Sequence, residues 1–286
     1  MKDKKISNKI KTLKRRKPLN AFKEILHEHV KYKNQIFKLA KADLIKTYKG
    51  AALGWIWAIV KPAVTIAVFY FAFSVGLRHG KPVAGYPYFL WLIAGMMPWF
   101  FMRDTLTAGA GSIRKYKYLV TKIKFPISTI PTYVCLSNIS VSICLILIML
   151  VIYLGYGIKP DIYWLQIPFY MILMLLFFIS WSLFAGMLSA ISKDFLNLVK
   201  AMTTALFWMS GIMYDVNGIQ IEIVRKIMLF NPITLICNGF RNSLVYKQWF
   251  WETGVEMRNF LILYVVMSML AIWAYKKLKK DVPDVL

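Results

Sequence analysis

Long apolar runs separated by short polar connections fill the chain from residue 55 onward, and the shorter alternation of charged and apolar positions is confined to the residues before them. A helix needs about 20 predominantly apolar residues to cross a bilayer, and its backbone groups must be satisfied within the segment. Six runs meet or approach that length: 55–77, 86–107, 131–154, 164–191, 198–214 and 260–275. The pattern predicts an all-α membrane protein with six transmembrane helices. The first run contains Lys61 and Pro62, where the lysine can snorkel toward headgroups and the proline bends the helix or opens its buried part.

Two segments do not fit a plain bundle. Over 35–53, Ile36, Leu39, Ala40, Leu44 and Ile45 interleave with Lys38, Lys41, Lys46 and Lys49 at helical spacing. That spacing predicts a cytoplasmic helix lying in the membrane interface with its basic face toward lipid phosphates. Between the fifth and sixth runs, 219–245 holds two apolar stretches too short to span, broken at Asn231 and Pro232. A proline removes a donor and disfavours helix at the residue before it. The expectation is an external re-entrant helical hairpin, the alternative being two surface helices outside the membrane.

The distribution of lysine and arginine orients this arrangement. The first 34 residues, the linker 110–126 with Arg114, Lys115, Lys117, Lys122 and Lys124, and the tail 276–286 are basic, whereas the connections 78–85 and 156–163 carry few charges. With six crossings the basic regions fall on one side, so both termini are expected in the cytoplasm. No cleavable signal peptide is expected, because no apolar core follows the basic start within the usual window.

Composition excludes the main alternatives. The 286 residues are 58% hydrophobic, and 37 Lys and Arg against 13 Asp and Glu give +24 although only 17% of positions are charged. Soluble domains are roughly 45–50% apolar, and disordered basic chains are low in hydrophobicity. Nucleic-acid binding would need a folded scaffold beneath the basic residues, which the stretch from Lys2 to Pro18 does not offer. That stretch reads as a polybasic segment attracted to anionic lipid at about 1 kcal/mol per Lys or Arg. Membrane lipids are therefore an expected partner and nucleic acid is not.

Little in the sequence points to catalysis. Cys135, Cys144 and Cys237 lack metal or redox spacing. Asp104, Asp161, Asp194, Asp215 and Glu222 are scattered, with Arg103 beside Asp104 reading as an interfacial pair; His27 and His29 are two apart and His79 stands alone. No G-x-x-x-x-G-K-[ST] cradle occurs among the 15 glycines, so no cofactor or metal is expected on this chain. Aromatic residues are the other signal, at 16%. Many sit near run ends, where a belt anchors helices at the interface; flat rings with polar tips also suit the lining of a sugar path. The candidates for such a path are Phe69, Phe73, Trp91, Trp99, Phe207, Trp208, Tyr214 and Arg241.

One ordered set of residues carries a resemblance. A basic amphipathic helix leads into Tyr48, Lys49, Gly50, Leu53, Gly54, Trp55, Ile56, Trp57, Lys61 and Pro62. Then come Lys122, Ile123, Lys124, Phe125 and Pro126, later Lys193, Asp194 and Phe195, and finally Asn231, Pro232, Ile233 and Thr234. In this order they resemble the membrane subunit of ABC-2-type polysaccharide exporters over about residues 35–280. Within that family the chain looks most like the wall teichoic acid export permeases, with the O-antigen permeases also related.

The resemblance implies a homodimer paired with two copies of a separate ABC ATPase, which would hold ATP and Mg. Together they would flip a polyprenyl-diphosphate-linked polymer outward. It also implies ATPase coupling through Arg114, Lys115, Tyr116, Lys117, Lys122, Lys124, Lys193 and Asp194. Separately from the resemblance, external Arg225, Lys226 and Arg241 are expected to attract a polyanionic cargo, packing or headgroup contacts being the alternative reading. An exporter of another cargo, such as an O-antigen-type glycan or a small hydrophobic compound, and a membrane-bound enzyme of polymer assembly are the competing classes.

Overall fold

The computed structural model describes residues 18–50, 52–77, 82–123 and 125–286. The polybasic segment before Pro18, His79, Lys81 and Lys124 lie outside them, and with them the first half, 78–81, of the expected external turn at 78–85. Among the described residues the regular structure is helical: α1 (Pro18–Lys31), α2 (Lys33–Tyr48), α3 (Trp57–Tyr70), α4 (Tyr88–Lys115), α5 (Lys117–Thr121), α6 (Thr129–Gly155), α7 (Gln166–Ile191), α8 (Lys193–Trp208), α9 (Glu222–Leu229), α10 (Pro232–Arg241), α11 (Gly254–Leu278) and α12 (Val282–Val285).

Four helical stretches are long and apolar enough to cross a membrane: Gly54–Ser74, Thr129–Gly155, Ile162–Ile191 and Gly254–Leu278. At 1.5 Å per residue, 27 residues of α6 reach about 40 Å, more than the roughly 30 Å of hydrocarbon. The helices α4 and α8 do not qualify by length and composition alone. The first has the length, 28 residues, but carries Arg103 and Asp104 in its run, and the second has only 16 residues.

The helix α4 is nonetheless the axis of the molecule. Every residue from Leu90 to Met102 is buried, and the helix packs against α6, α7, α8 and α10. Small residues allow the closest approaches: a Cβ on Gly109 would lie 2.0 Å from the Ser182 hydroxyl of α7, and one on Gly239 of α10 would lie 2.3 Å from the Tyr170 ring. By contrast α3 stands at the edge, with Val64 and Val68, and Phe71 just after it, uncovered in the single chain. Apolar side chains on such a face have lipid or another protein surface as their environment.

The break at Asn231 and Pro232 is real and sharp. The axes of the segments Glu222–Leu229 and Pro232–Tyr246 meet at 85°. Asn231 caps α10 by accepting the amide of Ile233 at 2.9 Å, and Pro232 occupies the first helical position, where a missing N–H costs nothing. The Asn231 amide also donates to the Ser210 hydroxyl at 2.7 Å, and the Thr234 hydroxyl to the Ser210 carbonyl at 3.1 Å. Beyond its cap, α10 is buried from Ile233 through Arg241.

The helix α1 has no counterpart in the sequence pattern. Glu28 accepts from the Tyr275 hydroxyl of α11 at 3.1 Å and from Ser128, His29 meets the Thr132 hydroxyl at 2.7 Å, and Lys279 pairs with Glu24 at 2.5 Å. Part of the segment expected as a basic tail is thus a helix fastened where α6 begins and α11 ends.

Candidate functional site

Five of the eight rings and cations proposed to line a path converge in one cluster. Phe69 lies 5.2 Å from Phe207 and 6.3 Å from Trp208 between ring centres; Trp99 lies 5.5 Å from Phe207, and Phe73 follows Phe69 at 6.5 Å. Three elements supply them: α3 with the π-helical turn Phe71–Leu77 that continues it, α4, and α8. Trp99 and Phe207 form the buried side, whereas half of Trp208 is uncovered and Phe69 and Phe73 are half-buried. Tilted and edge-on rings at 4.5–7 Å attract one another beyond their burial. The cluster thus presents Trp208 and the uncovered face of α3 side by side.

Trp91 and Arg241 form a second centre with Tyr88 and Tyr246. The guanidinium of Arg241 sits 3.5 Å above the Trp91 ring, close enough for a strong cation–π contact. Trp91 donates through Nε1 to the Tyr246 hydroxyl at 2.8 Å and stacks with Tyr88. Arg241 Nη1 donates to the Gly211 carbonyl at 2.7 Å and Nη2 to the Ile212 carbonyl, both in the buried turn that follows α8. Gly211 has φ +60°, and a Cβ there would meet Val216 at 2.2 Å, so glycine is what lets the chain turn its carbonyls toward the arginine.

Arg241 is therefore buried rather than displayed at the outer surface. Its planar donors match two backbone carbonyls, and that pairing does not need a carboxylate. The Tyr214 hydroxyl donates to the Trp208 carbonyl at 2.7 Å, across the turn that follows α8. Of the other cations expected to attract a polyanion, Lys226 pairs with Glu222 at 2.6 Å and Arg225 is half-buried. A polar cavity of about 210 Å³ opens beside Arg241.

The basic linker lies at the opposite end of α4. Asp43 of α2, its side chain only 5% exposed, accepts from Lys115 Nζ at 2.7 Å and from the Tyr116 hydroxyl. Burial, then the hydrogen bond and the charge of Asp43, push the Tyr116 phenol well above its usual range, so it remains a donor at neutral pH. Arg114 donates to the Ser189 carbonyl at the end of α7, which brings the linker beside the corner bearing Lys193 and Asp194. Lys115, Lys117, Lys122, Lys193 and Asp194 are exposed, Arg114 and Tyr116 half-buried.

Asp43 is the residue sequence reasoning missed here. A lone acid among the lysines of 33–49 on the face of Ile36 and Ala40 was the available signal. Arg103 and Asp104 pair with each other at 2.8 Å. Among the described residues, no group of three or more His, Cys, Asp or Glu is placed to hold a metal ion.

Comparison with known proteins places this geometry in context. The profile of the ABC-2 type transporter family matches residues 34–245. An O-antigen export system permease protein RfbA of Myxococcus xanthus is 24% identical over 251 residues, covering 87% of this chain and 93% of the relative. Two proteins of the same description from Klebsiella pneumoniae are 25% and 24% identical over 256 residues, with the same coverage of each chain.

Proposed function

From the premise that this chain belongs to the ABC-2 type transporter family, whose profile spans its residues 34–245, we propose that it is the permease subunit of an exporter that moves a lipid-linked surface polysaccharide across the bacterial cytoplasmic membrane. ATP is hydrolysed on a separate ABC ATPase, present in two copies, and the chain pairs with a second copy of itself. The observation that carries the path is the gathering of Phe69, Phe73, Trp99, Phe207 and Trp208 beside an uncovered α3. Rings there can slide along sugar faces, and the uncovered helix offers a surface for a second copy.

In this reading α4 and α8 complete six crossings with the four long apolar helices, and the bent pair α9 and α10 re-enters the outer leaflet. The ends of the bundle support that sidedness. Asp161 pairs with Lys247 at 2.5 Å and Gln166 brackets the segment Gln248–Phe250 at the weakly charged end. Asp43 pairs with Lys115, and Glu24 and Glu28 with Lys279, at the basic end, which by the positive-inside rule would be cytoplasmic together with both termini. The exposed lysines of the linker and the Lys193 corner form the surface for the ATPase.

Two cargoes fit. The ordered motifs favour wall teichoic acid, an anionic polymer on a polyprenyl diphosphate; the description of the relatives as O-antigen permeases favours an O-antigen-type glycan. Purification from native membranes in mild detergent, followed by mass analysis of bound lipid, tests the reading. A polyprenyl-diphosphate-linked polymer is expected, and its phosphate content decides the cargo. Recovery of only ordinary phospholipid, with no polymer retained in the cell by a loss-of-function strain, overturns the proposal.

A further inference from the structure

The cavity beside Arg241 has a chemistry that the aromatic cluster lacks. Its floor is Arg241 with the amides of Asn238 and Asn242, each at most 8% exposed. Asp215 and Glu256 supply carboxylates to its wall, and Asn217 and Gln248 stand exposed at the mouth. The volume, about 210 Å³, equals about seven waters at their liquid share of space, which is the scale of one sugar ring.

The electrostatics select among ligands. Arg241 directs its donors at the Gly211 and Ile212 carbonyls and its face at Trp91, so its charge is held by the protein. Two carboxylates remain against that single cation, and a phosphate entering between them meets like charge in a partly desolvated space. A metal ion meets the guanidinium instead. Primary amides and carboxylates together provide paired donors and acceptors, and each hydroxyl of a polyol both donates and accepts. Concave sites with a few convergent polar groups are where small ligands bind. The segment that brings Gln248 to the mouth continues into Trp249 and Trp251, whose rings stack at 4.6 Å and 9°, with Trp251 largely exposed.

We propose that this cavity, enclosed by α4, the turn after α8, α10 and the start of α11, is a binding site for one residue of a neutral saccharide. The proposal rests on the exporter reading and deepens it, since it places a sugar-selective contact next to the bent helix pair. Either a sugar of the cargo in transit or a free saccharide supplies the ligand.

The test uses the full chain in lipid nanodiscs. Neutral trisaccharides of glucose, galactose, mannose or rhamnose, a glycerol-phosphate trimer and CaCl2 are titrated separately by calorimetry. Saturable binding of at least one trisaccharide is expected, weakened tenfold or more by the double substitution N217A/Q248A. Both residues are exposed, and an unchanged melting temperature establishes that this variant is folded. E256Q is the second variant, expected to weaken binding to a similar degree. No saturable saccharide binding, binding indifferent to all these substitutions, or preference for the glycerol phosphate or Ca2+ overturns the site.

Export by cells carrying N217A/Q248A separates the sources: a fall assigns the site to cargo, and unchanged export with lost binding assigns it to a free sugar. Failure of saccharide binding with the native polymer still co-purifying removes this site and leaves the exporter reading intact.

Discussion

Removing Lys115 should cost more stability than removing Asp43, although the two form one ion pair. The asymmetry comes from burial: the Asp43 side chain is 5% exposed and that of Lys115 is 47% exposed. In Lys115→Ala the carboxylate stays buried, with the Tyr116 hydroxyl as its remaining donor. Breaking a buried pair and leaving a buried charge costs about 3–5 kcal/mol, and the surviving Tyr116 contact puts this case near the lower end, about 3. In Asp43→Ala the freed ammonium returns to water and no charge is stranded. What is lost is the pair of charge-assisted hydrogen bonds from Lys115 and from the Tyr116 hydroxyl; one such bond is worth about 1.5–3 kcal/mol, and because the lysine is half in solvent and Tyr116 is half-buried the two together are set near the lower figure, about 1.5.

The double variant should resemble Asp43→Ala alone, at about 1.5 kcal/mol rather than the additive 4.5 or so, because the stranded charge is gone. Equilibrium unfolding in mixed detergent micelles, followed by tryptophan fluorescence, measures all three. Equal costs for the single variants, or a double variant equal to their sum, would refute the reasoning that α2 is held to the linker by a buried carboxylate.

Three further outcomes are expected. Gly239→Ala should destabilise the fold by about 1–3 kcal/mol because its methyl meets the Tyr170 ring at 2.3 Å, whereas Gly155→Ala, with nothing within 4 Å, should be near neutral; the same unfolding assay compares them. Phe69→Ala or Trp208→Ala should lower polymer export at least several-fold at unchanged expression, and normal export by both would leave those rings as anchors only. A cysteine at Lys159 should be labelled by an impermeant maleimide from outside and one at Lys279 only after lysis, the reverse pattern overturning the orientation.

The apolar runs were legible because lipid demands them: a spanning backbone has no water to bond with, and the requirement writes itself as length. The axis helix α4 shows the limit of that signal. Trp91, Pro98 and Trp99 lower its apparent hydropathy and Arg103 and Asp104 interrupt it, yet most of its length is buried because protein surrounds it. Asn231 and Pro232 announced their break correctly, since capping and the proline ring act on adjacent residues.

What the sequence hid is contact at long range. The α1 carboxylates Glu24 and Glu28 read as ordinary acids among lysines, and their partners Ser128, Tyr275 and Lys279 lie a hundred or more residues away. Arg241 looked like a surface cation because its partners are carbonyls, which every residue carries and no sequence pattern marks. The expected aromatic path was legible as residue types but not as two separate centres, one around Phe207 and one around Trp91. Phe207 and Trp208 close α8, whereas the carbonyls that hold Arg241 beside Trp91 belong to the turn at Gly211 that follows it.

The division of labour between a path and a separate motor is best tested by isolating the chain from its native membranes and measuring ATP turnover before and after its associated polypeptides are stripped away. The account predicts an associated ABC ATPase in one-to-one ratio, turnover that leaves with it, and none in the remaining chain. Turnover retained by the isolated chain, or polymer export in cells that lack any such ATPase, would contradict it.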